Sequence, residues 1–209
     1  MSPTLLLVHG WGFEAAFWQP MLAHLPGIET VCWDLGFHGQ PSQPPLPTGR
    51  PVVAVGHSLG LLWLLKEKPV TWDRLISING FPRFTKAEDF PEGVAPRLLE
   101  RMIARLSDAP EAVTADFLKR CGVDQPKTEG LAPAALHWGL KALADWDCRT
   151  DIQPDLALAG ASDPIVSPAM SKACFAEAVL EWQDGGHLLP LTAPDWCAAR
   201  LKSVLESLS

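Results

Sequence analysis

The sequence predicts an α/β protein, with a mostly parallel sheet, helices on both faces and one helical block inserted into it. Three observations carry this expectation. Short apolar runs of strand character recur along the chain and alternate with helical stretches. From Pro82 to Asp151 that alternation stops and helical segments dominate. A single serine, Ser58, sits between near-neighbour glycines where a strand-like run becomes an apolar helix.

TLLLVHG (4–10) is a short apolar run stopped by glycine, the form of a buried parallel strand. FEAAFWQPMLAHL (13–25) reads as a helix broken near Pro20, and IETVCW (28–33) as a second strand. DLGFHGQPSQPPLPTGRP (34–51) holds too many prolines and glycines for a helix. PVVAVGH (51–57) is the third strand and SLGLLWLLKEK (58–68) the helix it feeds; RLISING (74–80) is a fourth strand. Helical segments follow, among them APRLLERMIARLSD (95–108) and PEAVTADFLKRCG (110–122). Strand character returns in DLALAGASD (155–163) and VLEWQDGG (179–186), with the helical SPAMSKACFAEA (167–178) between them. APDWCAARLKSVLESL (193–208) closes the chain as an amphipathic helix. The expected organisation is a core of residues 1–81 and 152–209, with residues 82–151 inserted as a helical lid. Such a lid would lie over the carboxyl ends of the strands, where sheets of this kind bind ligands.

Composition narrows the function classes. A chain of 209 residues has room for one full hydrophobic core. A formal charge of −7 argues against a nucleic-acid binder, which needs a basic face. No apolar run is long enough to cross a bilayer. LLLV near the N-terminus is too short for a signal-peptide core and lacks a basic flank, so a cytoplasmic location is expected. The five cysteines are odd in number and scattered, which predicts reduced thiols. The six histidines show no HxxxH or HxH grouping, so no metal site is expected, and no cofactor is called for. The absence of tyrosine removes a phenolic acid or base.

Gly56-His57-Ser58-Leu59-Gly60 matches G-x-S-x-G. The chain must reverse from strand to helix within a couple of residues, which strains the serine and requires small neighbours. The turn would lift the Ser58 hydroxyl above the sheet and put the Leu59 amide at a helix N-terminus, where unpaired N–H groups favour an anion. The alternative is a glycine-rich turn with an incidental serine. An elbow serine needs a base, and in proteins built on this turn the histidine follows the serine in the chain; only His137 and His187 do. His187 lies in QDGGHLLPL just past a strand, whereas His137 reads as a helical residue of the inserted block. For the acid, Asp163 follows a strand and a glycine-bearing turn; Asp184 directly precedes the histidine loop and Asp155 sits at the wrong strand edge. A second oxyanion donor is expected from the loop after the first strand, His9-Gly10-Trp11-Gly12, with the Trp11 amide as candidate and His9 as a brace.

LLLVHGWG, DLGFHGQ, VGHSLG, GASDPIV and GGHLLPL occur in this order, and with them the chain resembles the α/β-hydrolase superfamily over nearly its whole length. HGWGFEAAFW, the segment INGFPRFTKAEDFPEGV with the helical stretch after it, and WGLKALADWDCRTDI look like the carboxylesterase of biotin synthesis. That family cleaves the methyl ester of pimeloyl-acyl carrier protein. The resemblance implies a compact α/β-hydrolase fold with an inserted lid. It also implies Ser58 as nucleophile, Asp163 and His187 as its partners, and the Trp11 and Leu59 amides as oxyanion hole. A basic lid face docking the acidic carrier protein is implied as well. Arg97, Arg101 and Arg105 recur every four residues and would form one stripe on a helix, with Glu100 and Asp108 near enough to neutralise it.

Three departures from the family pattern stand out. Two opening strands of the fuller fold are missing ahead of HGWG, and PSQPPLPTGRP replaces the usual helix before the nucleophile strand. Leu61 stands where a further glycine often follows the elbow. The first two predict a thinner sheet. The expected activity is that of a monomeric serine carboxylesterase acting on the methyl ester of pimeloyl-acyl carrier protein. A general short-chain carboxylesterase or thioesterase is the alternative within enzymes, since one triad serves both. A non-catalytic hydrolase-like binding protein is the alternative of another class.

Overall fold

The computed structural model describes residues 2–176 and 178–208. Six parallel strands form one sheet in the order β2-β1-β3-β4-β5-β6. They are β1 (Thr4–Val8), β2 (Glu29–Trp33), β3 (Val52–His57), β4 (Arg74–Ile78), β5 (Leu156–Gly160) and β6 (Val179–Gln183). β1, β3 and β5 are buried along their whole length, as continuous apolar runs require when both faces are covered. The edge strands β2 and β6 are only half-buried. From β1 the chain steps outward to β2 and then returns to the other side of β1 with β3. The carboxyl ends of β1 and β3 therefore lie side by side at the point where the winding reverses, where open α/β sheets bind their ligands.

The helices are α1 (Gln19–Leu22), α2 (Leu59–Glu67), α3 (Pro96–Leu106), α4 (Pro110–Cys121), α5 (Pro133–Asp145), α6 (Pro168–Cys174), α7 (Leu189–Thr192) and α8 (Pro194–Glu206). Five of them open on proline at the first helical position, where the missing N–H costs nothing. Residues Leu59 to Leu65 of α2 are all buried, so this helix has no polar face.

Two helical expectations change in detail. FEAAFWQPMLAHL forms a single 3-10 turn, Ala15–Trp18, followed by the short α1; Pro20 sits in the first turn of α1, so it starts a helix rather than breaking one. The helix expected over 167–178 ends at Cys174, and Glu177 lies outside the described residues. α7, directly after the histidine loop, was not expected from the sequence. Residues 34–51 hold no helix, only an isolated bridge between Asp34 and Ser42.

Residues 82–151 run from β4 to β5 and carry α3, α4 and α5. The two ends of this block are strapped together. The Cys148 N–H donates to Pro82 O at 2.8 Å, and the Arg83 guanidinium pairs with Asp147. Arg149 Nη2 reaches both Asp147 and Asp89 at 2.7 Å, and these hydrogen bonds hold the Asp147 carboxyl well below the usual carboxylate range. Among the described residues, no helix is long and apolar enough to cross a membrane.

Candidate active site

The G-x-S-x-G turn is as tight as its glycines allow. A Cβ on Gly56 would lie 2.4 Å from the Leu61 backbone, and one on Gly60 would lie 2.1 Å from Val8 O. Only hydrogens fit at either place. Between them Ser58 takes φ 52 and ψ −122, a left-handed backbone that an L-residue adopts only under constraint from its surroundings. Its N–H donates to Ile78 O at 3.2 Å, which ties the elbow to the end of β4. Gly10, just after β1, lies directly against the elbow, because a Cβ there would come 3.0 Å from Ser58 Cβ.

Ser58, His187 and Asp163 meet at the carboxyl end of the sheet. His187 stands between β6 and α7, with Nε2 3.0 Å from Ser58 Oγ and Nδ1 2.8 Å from Asp163 Oδ2. Asp163 follows β5, and its other oxygen accepts the backbone N–H groups of Ile165 (2.8 Å) and Val166 (2.9 Å). An ionised carboxylate only accepts, so the His187 proton belongs on Nδ1 and the Nε2 lone pair faces the serine hydroxyl. All three residues are buried, at 5%, 1% and 6% exposure, where such hydrogen bonds are little weakened by water. The arrangement can take a proton from a serine as it attacks an acyl carbon.

The other candidates fall elsewhere. His137 is exposed on α5 and Asp184 is exposed ahead of the histidine loop. Asp155 precedes β5, at the opposite end from Asp163, where it accepts the Leu75 N–H at 2.8 Å. His9 is fully buried; its Nδ1 faces Gly10 O at 2.9 Å and its Nε2 accepts the Leu35 N–H at 3.1 Å, so it joins the loops after β1 and β2. Leu59 opens α2, so its N–H has no intrahelical acceptor. Among the described residues, neither the Trp11 nor the Leu59 amide donates to a protein acceptor. The Trp11 ring is held by its own Nε1–H, donated to Leu136 O at 2.9 Å, and by an edge contact with Phe117 at 5.1 Å.

Two residues of the site escaped the sequence reading. His57 is completely buried and donates Nε2–H to His187 O at 2.9 Å, while its Nδ1 has no partner among the described residues. Burial and the neighbouring His187 push the His57 ring well below its ordinary value, so it stays neutral. Asn79 follows β4 and donates its amide to Asp163 Oδ2 at 2.9 Å. The Asn-Gly pair after a strand signals a turn, but nothing local connects it to an aspartate eighty-four positions away.

Beside Asp163 lies a cavity of about 200 Å³, lined by Phe84, Leu98, Leu99, Phe117, Pro164 and Ile165 among others. Leu98, Met102, Phe117 and Arg120 also line a second cavity of about 190 Å³ between α3 and α4, which reaches Arg101 and Arg105. Arg97, Arg101 and Arg105 are all exposed along α3. Arg105 Nη1 lies 3.9 Å from Asp116, whereas among the described residues Arg97 and Arg101 form no ion pair.

No protein-family model matches the sequence. The chain is 30% identical to the pimeloyl-[acyl-carrier protein] methyl ester esterase of Legionella pneumophila (strain Corby), over 81% of this chain and 79% of that protein. It is 29% identical to the enzyme of the same name from Stenotrophomonas maltophilia (strain R551-3), over all of this chain and 95% of that one. Among solved structures, an esterase from Exiguobacterium antarcticum superposes with a TM-score of 0.81 at 17% identity, covering 99% of this chain and 92% of the other. A hydrolase from Pseudomonas aeruginosa PA01 does so with a TM-score of 0.78 at 21% identity, covering 98% and 90%. At these identities the two structures speak for the fold, which is that of the α/β-hydrolases.

Proposed function

The chain belongs to the family of pimeloyl-[acyl-carrier protein] methyl ester esterases, and on that premise we propose that it hydrolyses the methyl ester of pimeloyl-acyl carrier protein in biotin synthesis. The reading is supported above all by the unbroken chain of hydrogen bonds from Ser58 Oγ through His187 to Asp163, at 3.0 and 2.8 Å.

Ser58 Oγ attacks the ester carbonyl while His187 Nε2 takes its proton, and Asp163 stabilises the imidazolium that forms. The Trp11 and Leu59 amides receive the negative oxygen, each worth several kcal/mol of barrier in sites of this kind. The tetrahedral intermediate collapses as His187 gives the proton to the departing methoxide, which leaves as methanol. Water then attacks the acyl-serine, its proton goes to His187, and pimeloyl-acyl carrier protein departs with a free carboxyl group as Ser58 recovers its hydrogen. No step calls for a cofactor.

Residues 82–151 act in this reading as the lid and as the docking face. The apolar cavity beside Asp163 suits an acyl chain, and the adjoining cavity leads it to Arg101 and Arg105 at the surface. An exposed arginine stripe with two members outside any ion pair among the described residues suits an acidic carrier protein, despite the net charge of −7. The enzyme works as a cytoplasmic monomer in this proposal.

The decisive experiment measures methanol release from pimeloyl-carrier-protein methyl ester, with wild type beside Ser58→Ala. Release that vanishes in the variant supports the proposal. Cleavage of p-nitrophenyl esters alone would leave a general carboxylesterase, and inertness towards both would leave a binding protein. Arg101→Glu separates docking from chemistry: a loss confined to the carrier-bound substrate is expected, and an equal loss on free esters would remove the docking role.

A further inference from the structure

Three successive carbonyls of the histidine loop are each held by a donor from a different part of the sheet's carboxyl edge. Gly185 O accepts the Ser162 N–H at 2.9 Å, Gly186 O accepts Asn79 Nδ2 at 3.2 Å, and His187 O accepts His57 Nε2 at 2.9 Å. Only Asn79 among these donors also reaches the carboxylate. The same Nδ2 lies 2.9 Å from Asp163 Oδ2, the oxygen that receives His187 Nδ1–H. Both amide hydrogens are thus engaged. The amide can face only one way, since its oxygen turned towards Asp163 would meet another acceptor.

A role confined to turning the chain does not account for this side chain. Asn79 has φ 48, a backbone that glycine or aspartate would adopt as readily. Its backbone N–H is already satisfied by Leu158 O at 2.8 Å. Among the described residues its buried Oδ1 has no partner, a cost that a glycine would avoid.

We propose that Asn79 is a positioning residue for the triad: one amide orients Asp163 and pins the histidine loop together, so that the carboxylate and the imidazole hold their alignment while the ring passes its proton from Ser58 to the leaving group. The proposal rests on the reading of Ser58, His187 and Asp163 as the catalytic triad. Among the described residues Asn79 forms no hydrogen bond to Ser58, so it acts through Asp163 and the histidine loop.

Two variants that tolerate the left-handed backbone test it. Asn79→Gly deletes the amide, and Asn79→Asp keeps its size but turns an oxygen towards Asp163. The measurement is kcat and KM for p-nitrophenyl butyrate, per active site titrated with a fluorophosphonate, together with the proton resonance of His187 Nδ1–H. Loss of a hydrogen bond to a charged group predicts a kcat lower by about tenfold or more. KM should stay as in wild type, and the resonance should shift or broaden. Wild-type kcat per titrated site and an unmoved resonance in Asn79→Gly would overturn the proposal, whatever happens to the melting temperature. If the aspartate variant does not fold, Asn79→Gly decides alone. A wild-type enzyme that the probe fails to label at Ser58 would bring down the triad and the role of Asn79 with it. Labelled, active wild type beside fully active Asn79 variants would remove Asn79 only.

Discussion

His57 makes this protein less stable in mild acid, and the size of the effect follows from its surroundings. The ring is fully buried, lies 4.4 Å from the Phe17 ring, and has no partner at Nδ1 among the described residues. Burial and His187 hold it well below the ordinary 6.5 of an imidazole, so the folded chain keeps it neutral while the unfolded chain binds a proton there as pH falls. Where the unfolded state binds more protons, stability drops with pH, by about 1.4 kcal/mol per pH unit once the unfolded group is fully titrating. Integrated from pH 7.5 to 5.5, this one residue removes about 1 kcal/mol, or roughly 2–4 °C of melting temperature for a chain of this size. The test is urea unfolding at both pH values, followed by tryptophan fluorescence, for wild type and His57→Gln. Glutamine keeps an amide donor for His187 O but does not titrate. Its lost ring packing costs stability equally at both pH values, so the difference in pH dependence isolates His57. Wild type should lose about 1 kcal/mol more than the variant. Equal losses would refute the neutral, buried histidine.

Other consequences are as direct. Asp163→Asn leaves the packing intact but turns the His187 tautomer the wrong way, so kcat for p-nitrophenyl esters should fall by about 10⁴ with little change in melting temperature; a loss below tenfold would remove Asp163 from the triad. Gly60→Ala forces a methyl to 2.1 Å from Val8 O, where backbone must move against backbone. It should cost more than about 4 kcal/mol and leave little soluble protein, and a near-normal urea midpoint would contradict that packing. Burial pushes the thiols of Cys174 and Cys197 up to about 12, so both should resist iodoacetamide at pH 8 until urea unfolds the chain. Rapid alkylation of the native protein would refute their burial.

Much of the fold is legible locally because each element is written in a single period. LLLV and VVAV are apolar without interruption, as strands covered on both faces must be, and the proline-opened helices announce their own first turns. The strand–glycine–serine–helix junction is equally local, since the clashes that exclude a Cβ at Gly56 arise within five residues of it. FEAAFWQPMLAHL misled for a related reason: its pattern is helical, but the segment packs Phe17 and Trp18 around the His57 ring and settles as a 3-10 turn and one short helix.

Composition and pattern alone determined the class of fold, the candidate serine and the candidate partners, because strand ends and glycine turns are marked by neighbouring residues. The tertiary structure decided what those residues touch. The parallel sheet brings Ser58 of one strand end to His187, 129 positions later, and adds Asn79 and His57, whose partners lie 84 and 130 positions away. No local signal encodes such pairs, since their energy exists only once the strands lie side by side and water has been excluded between their ends.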